Sequence, residues 1–255
     1  MNTSFFCVTA ALAVVAAQAA TPAVAAAPCT ATSGATVPVV VELYTSEGCD
    51  SCPPADRWLS KTITERSKDA AFIPLAYHVD YWDYIGWKDP FAQAAFTQRQ
   101  SSLAASGGAS GVYTPQFFVN GKDDRSWTSG AARLASTGRA SIKFDVSSSW
   151  KGEGAAVTLA ISGKFVDPAP GVRLRYAVTE NGLVSAVKAG ENRGVTLRHD
   201  AVVRANGALP LDASGGFALA VSLPKTIKQA NSQLHVIAED ARGNPLAAAT
   251  ISCAS

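Results

Sequence analysis

The sequence predicts an α+β protein: an α/β domain over residues 28–139 followed by an all-β sandwich over residues 140–255, behind a signal peptide at residues 1–27. Three observations carry this. An apolar, alanine-rich run opens the chain. Strands rich in β-branched residues then alternate with helical segments to about residue 139. Beyond that point the texture changes to short, often alternating strands separated by turn residues at roughly ten-residue spacing, the pattern of a sandwich.

The length of 255 residues fits about two domains. With 47% hydrophobic and 16% charged residues and a net charge of +2, the composition is that of a globular protein. There is no basic run or Lys/Arg-rich element of the kind a nucleic-acid binder needs, and the low charge argues against long disordered tails.

Phe5 to Ala20 is apolar and is followed by small residues up to Ala27, which reads as a secretory signal. Met1 to Phe6 carries no Lys or Arg, so the positive region rests on the α-amino group. The rival is an uncleaved anchor, but the run is short for a span and is interrupted by Gln18 and Pro22. Cleavage is expected after Ala19, Ala20, Ala25 or Ala26, leaving no membrane span and a periplasmic or secreted protein. Of five cysteines, Cys7 leaves with the signal; Cys29, Cys49, Cys52 and Cys253 remain. Cys49 and Cys52 pair naturally. Cys29 and Cys253 are expected to form a structural disulfide tying the termini together, worth on the order of 4 kcal/mol in the loop-entropy account; the alternative is two free terminal thiols.

Along the chain, Val37–Thr45 reads as a buried strand, and Pro53 to about Lys68 as a helix whose first turn tolerates its prolines. Ala71–Val79 is a second strand, Pro90 to about Ser106 a second helix ended by Gly107 and Gly108. Val112–Asn120 is a third strand, Asn120-Gly121 a hairpin turn with Arg125–Thr128 returning, and Ser129–Ser136 a short last helix. In the second half, segments beginning at Ile142, Ala156, Val172, Leu183, Val202, Gly216 and Leu234 are the sandwich strands.

A CxxC between a strand and a helix places the first sulfur at a helix N-terminus, where unpaired N–H groups and the helix dipole favour the thiolate. Cys49 is then the nucleophile and Cys52 the resolving thiol. Half of a zinc site or a permanently closed structural loop are the alternatives. The order strand–CxxC–helix–strand–helix–Thr-Pro–strand–Asn-Gly–strand–helix resembles the thioredoxin fold. That resemblance implies a cis bond at Thr114-Pro115 facing the CxxC and a substrate-holding role for both residues; otherwise Pro115 is an edge-strand proline.

The combination Val41-Glu-Leu-Tyr-Thr-Ser-Glu-Gly-Cys-Asp-Ser-Cys-Pro-Pro-Ala-Asp56, His78-Val-Asp-Tyr-Trp-Asp83, Gly190-Glu-Asn-Arg-Gly194 and Leu197-Arg-His-Asp200 resembles a family of secreted bacterial thioredoxin-like proteins of uncharacterised function. The chain departs from ordinary thioredoxin in having Gly48 before the first cysteine and Asp50-Ser51 between the two. Glu47 and Asp50 disfavour a Cys49 thiolate while the helix terminus favours it, so the direction of electron flow stays open.

Glu42 is a carboxylate in an otherwise apolar strand and needs a reason to be there. By the thioredoxin resemblance it moves a proton to or from Cys52; the alternative is a carboxylate satisfied by backbone or an arginine. His78, Asp80 and Asp83, interleaved with Tyr81, Trp82, Tyr84 and Trp87, read as loop packing, as a substrate lip led by His78 and Trp82, or as a metal site. His199 and His235 read as surface or core polar groups, and Asn192-Arg193-Gly194 with His199-Asp200 as a loop near the redox site or a plain turn. The expected activity is exported thiol–disulfide exchange with protein or small-molecule thiols and no cofactor. Metal handling through the CxxC thiolates and an inert-disulfide interaction protein are the alternatives.

Overall fold

The computed structural model describes residues 28–129, 134–136, 138–152, 157–166 and 170–253. The expected signal peptide, with Cys7, and residues 130–133 of the helix expected over 129–136 lie outside them.

Among the described residues there are fourteen strands and two α-helices. In chain order they are β1 (Cys29–Thr32), β2 (Val39–Thr45), α1 (Pro53–Glu65), β3 (Phe72–His78), α2 (Ala94–Leu103), β4 (Gln116–Val119), β5 (Lys122–Asp123), β6 (Phe144–Lys151) and β7 (Val157–Phe165). There follow β8 (Arg173–Glu180), β9 (Leu183–Ala186), β10 (Thr196–His199), β11 (Val202–Leu209), β12 (Gly216–Leu223), β13 (Ser232–Glu239) and β14 (Pro245–Ile251).

The strand order overturns the expected fold class. A thioredoxin-like α/β domain followed by a sandwich would keep the strands of each half in their own sheets. Instead a single eight-stranded sheet runs β14-β13-β8-β11-β3-β2-β4-β5 and draws on both halves. The junction is parallel: Val202 of β11 pairs with Ala76 of β3, and the Ala76 N–H donates to the Ala201 carbonyl at 2.8 Å. A four-stranded sheet, β1-β6-β7-β12, packs over the β14-β13-β8-β11 end, and β9 and β10 form a separate ribbon. The fold is β-rich throughout.

The reason lies in buried charge. Arg173 and Arg175 alternate with apolar residues in β8, which reads as a strand with one face in water. Yet seven of its eight residues are buried. Leu174, Tyr176 and Val178 face the four-stranded sheet, and Ala177 joins the core on the other face with Val203, Ile237 and Phe96. Arg175 lies on this second face because two carboxylates meet it there, Glu42 of β2 and Glu239 of β13.

The helices cover the two faces around β2 and β3. Ala55, Leu59 and Thr62 of α1 are buried at helical spacing, with Ala55 and Leu59 packed on Val39, Val41, Leu43 and Phe117. Phe96, Gln100 and Leu103 of α2 are buried on the opposite face, where Phe96 meets the Tyr77 ring at 5.2 Å. Asn120 and Gly121 take φ of 49° and 77°, so the two-residue turn starts the return strand at Lys122, and the segment expected as that strand forms a 3-10 turn over Ser126–Ser129 instead. The strands β1, β10 and β14 were not foreseen; β14, with three consecutive alanines, has weak strand propensity and is held by pairing with β13. Cys29 of β1 and Cys253 just after β14 are disulfide-bonded across 224 residues, clipping the small sheet to the large one.

Candidate functional site

The parallel strands β2 and β3 end together, Thr45 beside His78. Just beyond, the chain makes the tight turn that carries the CxxC: the Cys49 N–H donates to the Ser46 carbonyl at 3.2 Å, and the Cys52 N–H to the Cys49 carbonyl at 3.2 Å. Cys49 and Cys52 are disulfide-bonded, with Cα atoms 5.4 Å apart. Cys52 immediately precedes α1, and its carbonyl accepts from the Ala55 and Asp56 N–H groups. Asp50 and Ser51 are exposed, but both cysteines have 0% exposure.

Beneath the disulfide lies a cluster of buried ionisable side chains. Asp89 Oδ2 accepts from His78 Nδ1 at 2.7 Å and from the Glu47 N–H at 2.8 Å. Glu47 accepts from Trp87 Nε1 at 2.8 Å and from His199 Nε2 at 3.1 Å. His199 Nδ1 is 3.9 Å from Asp56 Oδ2, beyond hydrogen-bond reach, and has no other partner; nor does His78 Nε2. The two imidazoles meet edge to face at 4.9 Å, with the Phe91 ring against both.

Three carboxyl groups and two imidazoles share this buried site, and the proton affinities of Asp56, His78 and Asp89 are displaced from their ordinary values. Burial raises the Asp56 carboxyl, and the nearby His199 and His78 offset only part of it. Burial pushes the His78 imidazole down, but the Asp89 carboxylate outweighs this and the net direction is up. Asp89 moves oppositely: burial raises it, and His78 with two backbone N–H donors brings it below the usual range. The arrangement holds an ion pair at His78–Asp89 and places at Asp56, one helical turn after Cys52, a carboxyl whose proton affinity burial raises above the ordinary range.

Glu42 sits elsewhere in this scheme. Its carboxylate accepts from Arg99 Nε at 2.8 Å, Arg99 Nη2 at 2.5 Å, Arg175 Nη2 at 3.0 Å and the Tyr44 hydroxyl at 2.8 Å. Burial alone would raise its pKa, but the two guanidinium groups hold it at about 2. A group ionised at every pH above that has no proton to exchange near neutrality, so Glu42 is an ion-pair anchor between the halves of the sheet.

Trp82 and Thr114 are brought together: Trp82 Nε1 donates to Thr114 Oγ1 at 2.7 Å. The Thr114-Pro115 peptide is cis. Trp82 also backs the CxxC, since a Cβ on Gly48 would lie 3.0 Å from Trp82 Cβ. His78 is wholly buried, within the acid–base cluster. His235 is buried in the sheet between Thr179 and Thr250, and burial with the Arg175 charge holds its pKa down at about 3. Among the described residues no group of three or more His, Cys, Asp or Glu side chains is arranged to hold a metal ion. No helix of the described residues is long and apolar enough to cross a membrane.

Sequence reasoning gave Glu47 only as a nearby charge, passed over Asp56 and Asp89 as parts of the site, and read Asn192 as part of a loop near the CxxC or of a plain turn. Asn192 donates from Nδ2 to the Glu47 and Cys49 carbonyls, both at 2.9 Å, and Glu191 Oε2 accepts from the Asp50 N–H at 3.1 Å. The 190–200 segment therefore joins the CxxC loop, although it lies more than 140 residues further along the chain. Of the two readings of Asn192-Arg193-Gly194, a loop near the CxxC or a plain turn, these hydrogen bonds support the first.

Fold and site together define a β-rich protein with a covered CxxC disulfide set on a buried acid–base cluster. The chain belongs to the DUF1223 family, described as a protein of unknown function, whose match spans residues 40–239. It is similar to a structural-genomics protein from Agrobacterium tumefaciens, at 28% identity over 86% of this chain and 96% of that one, with a TM-score of 0.51. It also shares its fold with HBP35 of Porphyromonas gingivalis, at 16% identity over 86% of this chain and 76% of that one, TM-score 0.60. No curated protein matches it.

Proposed function

We propose that this protein carries out thiol–disulfide exchange through the Cys49–Cys52 pair, in an oxidising compartment outside the cytoplasm. The observation that supports this best is the placement of the pair: a CxxC directly before a helix, over a buried cluster that contains a carboxyl group whose proton affinity burial raises. The helix N-terminus favours the thiolates that exchange produces. In the exchange step an incoming thiolate attacks Cys49 Sγ, the Cys49–Cys52 bond breaks and Cys52 leaves as a thiolate. Asp56, one turn along the helix, is the acid suited to protonate it; Glu42, locked to Arg99 and Arg175, is not. Trp82, beside Gly48, and Thr114-Pro115, tied to it through the Trp82–Thr114 hydrogen bond, are the residues against which a thiol or disulfide substrate of protein or small-molecule origin would lie. Two disulfides in the chain suit an oxidising compartment.

One observation favours a second reading: both sulfurs are fully buried, as in a permanently closed structural disulfide. Equilibration of the protein with defined thiol couples separates the two. Exchange that is lost in Cys49→Ser supports the first; a pair that stays oxidised at potentials below about −300 mV supports the second.

A further inference from the structure

The tip of the CxxC loop faces water while its sulfurs do not. The backbone of that loop is hydrogen-bonded by residues 191 and 192 of the 190–194 turn. We propose that this segment is a strap that holds the CxxC loop shut over its disulfide, with Asn192 and Glu191 as positioning residues that set how readily a thiol reaches Cys49. The inference rests on the exchange reading above for its biological sense, but not for its test.

Three backbone groups of the loop are tied to two neighbouring strap residues. Both hydrogen bonds from Asn192 Nδ2 go to loop carbonyls, those of Glu47 and Cys49, and Asn192 is itself only 6% exposed. Glu191 takes the Asp50 N–H. The strap is a compact turn of its own: the Arg193 N–H donates to the Gly190 carbonyl, Gly194 to Val187 and Val195 to Asn192. It is braced from behind at Gly190, which has φ of +72° and where a Cβ would stand 3.1 Å from Ile85 Cδ1. The loop itself packs on Trp82 and Ile85 at Gly48. The CxxC loop and the strap thus both pack on the Trp82–Ile85 segment and are hydrogen-bonded to each other.

Exchange needs more room than this. A thiolate RS⁻ must come in line with the disulfide to give the Cys49–SR mixed disulfide and a Cys52 thiolate. A second RS⁻ then releases RSSR and leaves Cys49 as thiolate, so two thiols are oxidised as one disulfide is reduced. With no exposed sulfur surface, the first attack follows a local opening, and the carbonyls that opening must free are those that Asn192 holds. The cost of opening is therefore written in the strap rather than in the CxxC itself.

The test uses the full chain with both disulfides formed, dithiothreitol as the attacking thiol, native buffer, and timed alkylation with peptide mapping of each disulfide. Asn192→Ala and Glu191→Ala are expected to speed reduction of Cys49–Cys52, the former by roughly tenfold or more. Gly190→Ala, which pushes the strap off Ile85 without touching a hydrogen bond to the loop, is expected to act in the same direction. Cys29–Cys253, remote from the strap, is the internal reference and keeps its rate. Unchanged Cys49–Cys52 rates in Asn192→Ala and Gly190→Ala overturn the strap, and so does equal acceleration of both disulfides, which signals general loosening. Should Asn192→Ala fail to fold, the exposed Glu191→Ala decides alone. Faster reduction in the variants together with a pair that equilibrates with no biological thiol couple would uphold the strap while rejecting the exchange function.

Discussion

Replacing Glu42 by glutamine tests the ion-pair network that joins the two halves of the chain. Glu42 on β2 faces Arg99 on α2 and Arg175 on β8, and Arg175 also pairs with Glu239 on β13. The carboxyl pKa falls from an ordinary 4.5 to about 2 in the folded protein. That drop corresponds to about 3 kcal/mol of stability at neutral pH, in line with the roughly 3–5 kcal/mol lost when one partner of a buried pair is removed. A group whose folded pKa is depressed contributes above its unfolded value and ceases to contribute as pH falls through the folded one. Glu42→Gln should therefore cost about 3 kcal/mol in urea unfolding at pH 7, and the deficit should shrink as pH is lowered from 4.5 towards 2. The same variant should leave the pH profile of thiol exchange unchanged. A loss under about 1 kcal/mol, a deficit that ignores pH, or an altered exchange profile would refute the reasoning.

Other outcomes follow from the same structure. Asp89→Asn removes the partner of the buried His78; since Asp89 is held down from 3.8 and His78 held up from 6.5, the destabilisation, on the order of 3 kcal/mol, should be greatest between those values and diminish on either side in a pH series of unfolding curves. Asp56→Asn should change the pH profile of Cys49–Cys52 exchange without unfolding the protein, measured by stopped-flow with a small dithiol; an unaltered profile assigns the proton elsewhere. Gly163→Ala would place a Cβ 2.1 Å from the Asp145 carbonyl and 2.4 Å from the Phe217 ring, so thermal unfolding should show a loss of about 1–3 kcal/mol or more. Replacing Cys29 and Cys253 together by serine should lower stability on the order of 4 kcal/mol while leaving the Cys49–Cys52 exchange rate intact.

Much of the N-terminal half was legible because its signals are local. The runs VVVELYT and FIPLAYH have the continuous apolar character of strands covered on both faces, and two prolines fix the start of α1. What failed was the inference from alternation to a solvent face. Arg175 and Arg204 alternate with apolar neighbours as surface residues do, yet each is buried because its counter-charge arrives from another strand. Pairing of that kind spans up to 133 residues, and no window of sequence displays it. The site shows the same division. The CxxC announced itself by spacing, whereas Glu47, Asp56 and Asp89 look like ordinary loop and helix-start acids until β11, pairing parallel to β3, brings His199 beside them.

The most direct test of the account is the redox equilibrium of Cys49–Cys52 itself, followed by mass spectrometry in graded thiol buffers with Cys49→Ser as the control. The account predicts a reduction potential in the range of exchange proteins, roughly −120 to −270 mV, and exchange that disappears in the variant. A pair that stays oxidised below about −300 mV and reacts with thiols no faster than Cys29–Cys253 would contradict it.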